Sequence, residues 1–140
     1  MEKTFHLEIL DADSPFLCID DAVSLTVTGI DGSLQILADH APMVAALSIG
    51  EMVVQTPQKA HSAFHSEGFL KIDSSGVTVF LQAAEWVENI DENRARRSLE
   101  RAKEQLLHRQ NVRENRHTLI SLARATTRLR IKSANHQSRP

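Results

Sequence analysis

The sequence predicts an all-β head of many short strands, a sandwich or a barrel, followed by a helical tail. Three observations carry this. All five glycines and three of the four prolines fall within residues 1–88. Apolar residues alternate with period two in that half, as on strands with one face inward, and past residue 88 they shift to helical spacing. Charge divides at the same point: residues 1–88 carry thirteen acids and three bases, net −10, and residues 89–140 carry five acids and thirteen bases, net +8. A boundary near residue 88 follows, with a strand domain at 1–88 and a two-helix domain at 89–140. Opposite charges of this size attract the tail to the head or to another acidic partner, an attraction that salt weakens.

The elements follow in order. Phe5, Leu7 and Ile9 alternate with His6 and Glu8, and Val23, Leu25 and Val27 alternate with Ser24 and Thr26, so each run is a half-buried strand. Between them, Cys18 in Leu17-Cys18-Ile19 reads as a small buried hydrophobe. Asp31-Gly32 separates Val23–Thr28 from Leu34–Leu37, and its glycine supplies the positive φ of a tight hairpin. Further strands are expected at Val44–Leu47, Met52–Gln55, Ala63–Phe64, Phe69–Ile72 and Val77–Leu81, the last two joined by Ser74-Ser75-Gly76. Trp86 and Val87 mark the change to helix, where a packing or hinge tryptophan is expected.

After Gly76 neither glycine nor proline recurs until Pro140. Asn89 followed by Glu92 suits a capping-box start, with Asp91 adding charge near the positive helix end. Ala95, Leu99, Ala102 and Leu106 form one stripe, and Leu119, Leu122, Thr126 and Leu129 a second. Both are narrow and rich in small residues, so at about 25 cal/mol per Å² the pair is only marginally held together. Around His108-Arg109-Gln110-Asn111 the register is lost, and this segment suits a turn in one state and helix in another.

Composition excludes several function classes. The longest apolar stretch, Met43 to Ile49, is far short of the roughly 20 residues a membrane-spanning helix needs. The opening Met1-Glu2-Lys3-Thr4-Phe5-His6 lacks the build of a secretory signal or a transit peptide, so a cytoplasmic protein, membrane-attached only through partners, is expected. With Cys18 the sole cysteine, an intramolecular disulfide is impossible and a cysteine-based zinc site is not expected. There is no GxxxxGK[ST] phosphate loop and no GxSxG elbow, so no catalysis is visible. His61 and His65 share a face, but without a third ligand at a telling spacing they read as surface or interface histidines. Arg94, Arg101, Arg124 and Arg128 are either solvated arginines or, if the helices fold back, a convergent phosphate-binding set. The basic tail leaves a nucleic-acid-binding arm as an alternative, which the lack of aromatic residues after Trp86 disfavours.

Five segments together carry a family resemblance: Thr4-Phe5-His6-Leu7-Glu8-Ile9, Val27-Thr28-Gly29-Ile30-Asp31-Gly32, Asp39-His40-Ala41-Pro42, Ser66-Glu67-Gly68-Phe69 ahead of Val77-Thr78-Val79, and Ile90-Asp91-Glu92-Asn93-Arg94-Ala95. In this order and spacing they resemble the epsilon subunits of F-type ATP synthases of the bacterial and chloroplast type. Three departures stand out. Ala38-Asp39 replaces the usual proline-glycine, Glu67 replaces the first glycine of Ser-Gly-Gly, and the chain ends in a longer, more polar segment.

The resemblance implies an all-β sandwich of about ten short strands followed by an α-helical hairpin. It implies a non-catalytic rotor component of the proton-translocating synthase, docked on the gamma subunit and the c-ring, peripheral at the cytoplasmic face of the bacterial plasma membrane. Asp31, Gly32, Ser33 and His40 match positions that face the c-ring. The helical pair is expected to act as a brake, compact when hairpinned on the head and inhibitory when extended toward the alpha/beta catalytic ring. No cofactor is required. A regulatory ATP is expected in the compact state, because Ile90 to Ala95 matches the (Ile/Leu)-Asp-x-x-Arg-Ala motif of ATP-binding members. Asp91 and Arg94 come from the motif itself, and Glu85, Arg101, Arg124 and Arg128 fall at the other nucleotide-contacting positions.

Overall fold

The computed structural model describes residues 3–108 and 112–137, in two compact units that divide between Trp86 and Val87. The first is a ten-stranded sandwich, close to a barrel: β1 (Phe5–Asp11), β2 (Ser14–Ala22), β3 (Ser24–Gly29), β4 (Gly32–Leu37), β5 (Met43–Leu47), β6 (Gly50–Gln55), β7 (Ala60–His65), β8 (Gly68–Asp73), β9 (Gly76–Leu81) and β10 (Ala84–Trp86). Strand order is β10-β7-β6-β3-β5-β8-β9-β1-β2, with β4 also paired to β3. Only β1 and β9 run parallel. Along one edge β3 pairs with β6 at its start and touches β5 through Gly29 and Leu47 at its end, which turns the sheet from one layer to the other. The two ends of the strand order meet where Phe16 of β2 stacks on Trp86 of β10, ring centroids 4.5 Å apart. His61 approaches the same tryptophan edge-on at 6.0 Å, so Trp86 is a packing residue of the sandwich.

Period-two burial follows the sequence pattern. Leu7 and Ile9, Leu25 and Val27, Met52 and Val54, and Val77 and Val79 all point into one core. Two strands, β2 and β10, are not separately visible in the sequence. In β2, Leu17 and Ile19 face inward and the intervening Cys18 is exposed, so the expectation of a buried cysteine is wrong. Strand alternation decides this, since neighbours of two inward residues must point out. His65 is likewise no surface histidine. It is fully buried, its Nε2 accepting the Thr28 backbone N–H at 3.1 Å and its Nδ1 lying 3.0 Å from the Ser66 carbonyl. A donor on Nε2's lone pair fixes the neutral tautomer with the proton on Nδ1. Burial also pushes this imidazole below its ordinary value.

Ser66 ties the end of the sandwich together. Its Oγ accepts the backbone N–H groups of Gln82 at 3.0 Å and Ala83 at 2.9 Å and donates to the Glu67 carbonyl at 2.9 Å. Gly68 follows because a Cβ there would collide with the Phe80 carbonyl oxygen. At the β3–β4 turn, Gly32 has φ +125°, the conformation the hairpin requires of a glycine.

The second unit opens with a single 3-10 turn (Val87–Asn89), then α1 (Glu92–Leu107) and α2 (Val112–Gln137). The cap of α1 is Asp91, whose side chain accepts the Arg94 N–H at 3.1 Å; Asn89, the expected cap, belongs to the 3-10 turn instead. On α1 the buried stripe holds Ala95 and Ala102, flanked by half-buried Leu99 and Leu106, as expected. On α2 the expected stripe is displaced: Leu119 and Thr126 are exposed, while Thr118, Ala125 and Ile131 are buried. The Thr118 hydroxyl faces Gln105 Oε1 at 3.4 Å across the seam between the helices, and Lys132 Nζ donates to the Val87 carbonyl at 3.0 Å. Residues 109–111 of the segment expected to switch between turn and helix lie outside the described residues. Among the described residues, no helix is long and apolar enough to cross a membrane.

Candidate functional site

The sandwich carries an exposed apolar face built by strands β5 and β8. Their register sets Ala46 opposite Phe69 and Val44 opposite Lys71, and alternation turns all four outward while Leu70 and Ile72 fill the core. Val44 is 70% and Phe69 47% exposed. Phe69 stacks on Phe80 of β9 at 4.7 Å, which fixes the ring without covering it. The face continues to the tip of the β3–β4 hairpin, because the Ile30 N–H donates to the Ala46 carbonyl at 3.2 Å and leaves the Ile30 side chain 68% exposed. An open groove runs between the hairpin tip and β5, walled by Ile30, Leu34, Met43 and Val44, with Asp31, Gly32 and Ser33 along its rim. Exposing three large apolar side chains, Val44 and Phe69 on strands and Ile30 at the hairpin tip, costs solubility unless a partner covers them, so the face has the chemistry of a docking surface.

The structure thus brings Asp31, Gly32 and Ser33 to that face. It places His40 elsewhere. The hairpin tip begins β4, and His40 lies in the link after its other end, separated from the tip by the strand's length, roughly 17 Å at 3.3–3.4 Å per residue. In that link Asp39, which stands where the resembling family has glycine, adopts φ +63°. Aspartate is among the few side chains that tolerate this region, so the loop keeps a glycine-like backbone. Lys3 Nζ contacts the Asp39 carboxylate at 2.9 Å, both groups largely in solvent, and His40 Nδ1 lies 2.9 Å from the Ala41 carbonyl.

Of the residues matched to nucleotide contacts, Glu85 is on β10 of the sandwich, and Asp91, Arg94, Arg101, Arg124 and Arg128 belong to the helical unit. Arg94 and Arg101 each immediately precede a buried alanine of α1, Ala95 or Ala102, while Arg124 precedes Ala125 and Arg128 follows it by one turn. All four arginines therefore border the helical seam, the first pair exposed and the second half-buried. One carboxylate oxygen of Asp91 is already engaged in capping α1. The apolar face was missed from sequence because Phe69-Leu70 gives no sign of which residue points out until register is known. Exposed Val44 between core neighbours hides in the same way.

Comparison with known proteins gives a consistent picture. Residues 4–87 match the model of the ATP synthase Delta/Epsilon chain β-sandwich domain, and residues 88–133 that of the ATP synthase Delta/Epsilon chain long α-helix domain. The ATP synthase epsilon chain of Nitratidesulfovibrio vulgaris is 33% identical over 133 residues, 94% of this chain and 98% of that one. The ATP synthase epsilon chain of Caldanaerobacter subterraneus subsp. tengcongensis is 37% identical over 134 residues, 95% of this chain and 96% of that one. A chain in the cryo-EM structure of the Euglena gracilis mitochondrial ATP synthase OSCP/F1/c-ring assembly superposes with a TM-score of 0.79 at 21% identity, covering 95% of this chain and 82% of that chain. At that identity the likeness is one of fold.

Proposed function

The chain belongs to the ATP synthase epsilon-chain family, whose members are non-catalytic subunits of the synthase, and from that premise we propose how its two units divide the work. The sandwich is the rotor attachment, seating the apolar face of Ile30, Val44 and Phe69 on the gamma subunit, with the Asp31-Gly32-Ser33 rim directed at the c-ring. The observation that supports this is the exposed Phe69, held by its stack on half-buried Phe80, on a face continuous with the hairpin tip. Attachment through such partners makes the protein peripheral, at the cytoplasmic face of the bacterial plasma membrane.

The helical unit regulates hydrolysis. The buried faces of the pair are rich in small residues, Ala95, Ala102, Thr118 and Ala125, and each buried methyl contributes only about 0.8 kcal/mol, so a compact hairpin and an extended form differ by little, the range in which a partner shifts populations. The extended form reaches the alpha/beta ring and brakes ATP hydrolysis. ATP bound by Arg94, Arg101, Arg124 and Arg128 along the seam favours the compact form and relieves the brake, because forked guanidinium groups match phosphate oxygens. The test is reconstitution of synthase stripped of its own epsilon chain. Full-length protein should restore coupled synthesis and suppress hydrolysis, while residues 1–88 alone should restore coupling and leave hydrolysis fast. Equal hydrolysis with both would overturn the brake. Binding of millimolar ATP that survives Arg94→Ala with Arg128→Ala would overturn the nucleotide pocket.

A further inference from the structure

The outer face of the β1–β2 hairpin holds a cluster that rotor attachment does not use. Glu8 and Cys18 are directly opposite each other in the antiparallel ladder, and His6, two residues before Glu8, shares its face. One ligand-type atom from each of His6, Glu8 and Cys18 lies within 4.8 Å of the other two. Beside them the ladder slips, Phe5 pairing with Ala22 while Leu7 pairs with Ile19, so β2 carries an extra residue. The bulge turns both Asp20 and Asp21 outward, and Asp20 Oδ1 sits 2.6 Å from His6 Nδ1. We propose that His6, Glu8 and Cys18 form a binding site for a thiophilic divalent cation, zinc above all, with Asp20 as the positioning residue for the histidine.

The chemistry of each part fits. A carboxylate on Nδ1 holds the imidazole proton there and leaves the Nε2 lone pair for a metal, the carboxylate–histidine–metal arrangement that sets ring orientation and raises ligand basicity. Sulfur, nitrogen and oxygen donors together suit zinc, and the thiolate and imidazole disfavour magnesium and calcium, which select oxygen. A tetrahedral zinc with bonds of about 2.0–2.3 Å spaces its ligands roughly 3.5 Å apart, so the side chains need to close by about 1 Å, a rotamer adjustment at a half-exposed face. The Cys18 thiol releases its proton to solvent as the metal binds, and water completes the fourth position. Because Cys18 and Asp20 lie on the terminal strand of the sheet order and His6 and Glu8 on its neighbour, the metal clips β2 to β1. The set is hard to see in the sequence because the ligands are spread over His6 to Cys18 with a two-residue turn between, unlike the short spacings of zinc motifs.

Cobalt(II) reports the site directly. Added to the reduced full-length chain, it should bind one to one and give the near-ultraviolet thiolate-to-cobalt absorption, which only Cys18 can produce, and zinc should displace it. Cys18→Ser should abolish that absorption and weaken zinc at least about 100-fold, and Asp20→Asn should weaken it 10–100-fold, with the fold unchanged by circular dichroism. Zinc should also raise the melting temperature of the wild-type sandwich but not of Cys18→Ser. The proposal is overturned if no thiolate band appears, or if zinc binds Cys18→Ser as tightly as wild type, which would mark adventitious binding to other histidines.

Discussion

Ser66→Ala should destabilise the sandwich far more than the loss of one hydroxyl suggests. The Ser66 side chain is fully buried and is the acceptor for two backbone donors, Gln82 N–H and Ala83 N–H, at 3.0 and 2.9 Å. Alanine fits the same space but leaves both donors without that partner. A fully buried donor left unsatisfied costs about 1–3 kcal/mol; here the two N–H groups belong to exposed Gln82 and half-buried Ala83, where water takes up part of the loss, so about 1–3 kcal/mol in all is expected. Against the 5–15 kcal/mol typical of a domain this is a large fraction. Urea titration of the full-length chain, followed by fluorescence of its single tryptophan, Trp86, measures the sandwich itself, because that ring is stacked in it. Ser75→Ala is the contrast, since its exposed hydroxyl only meets the Asp73 carboxylate, and it should cost under about 0.5 kcal/mol. A Ser66→Ala loss below about 1 kcal/mol would show that the two N–H groups do not depend on Ser66 Oγ.

Three further outcomes are expected. His65 is held neutral, its value below the ordinary 6.5 because burial disfavours the charged ring. Above about pH 6.5 its contribution is complete; as pH falls from there toward the depressed folded value, the unfolded chain takes up a proton that the folded one does not, and stability drops. In His65→Gln that slope should shrink, by at most one proton or about 1.4 kcal/mol per pH unit, as read from urea midpoints between pH 5 and 7, and an unchanged slope would rule out the assignment. Ala12 sits in the left-handed region at φ +54° in the β1–β2 turn. Ala12→Gly should therefore stabilise the sandwich by about 0.5–1 kcal/mol despite glycine's greater entropy when unfolded, and a loss of stability would contradict the strain. Ala102→Glu places a charge in the α1–α2 seam, and it should open the helical pair and deepen inhibition of hydrolysis, leaving the urea midpoint reported by Trp86 unchanged; relief of inhibition would reverse the proposed direction of the brake.

Much of the fold is legible in the sequence because period-two alternation survives wherever one face is core and the other solvent. Leu7, Leu25, Met52 and Val77 all obey it. It fails at β2, where slips in the ladder break the alternation and the exposed Cys18 looks apolar. On α2 the helical stripe is legible only in part, because Thr118, Ala125 and Ile131 are buried while Leu119 is left in solvent, and a run rich in leucine, alanine and threonine fits more than one face. The exposed apolar face was half legible. Asp31-Gly32-Ser33 followed from resemblance, but Val44 and Phe69 needed register, which depends on residues distant in the chain. Nothing local distinguishes the buried His65 from a surface one, because the Thr28 N–H that anchors it lies 37 residues away.

If the apolar face of β5 and β8 seats the sandwich on the rotor, affinity for the gamma subunit must depend on it. Val44→Glu with Phe69→Glu places two charges on side chains that are already exposed, so the sandwich should fold as before. In a titration with gamma-containing complex lacking its own epsilon chain, the double variant should bind at least about 100-fold more weakly than wild type, the loss expected when two anchors of an interface are replaced by charge. Wild-type affinity in the folded double variant would mean that this face does not carry rotor attachment.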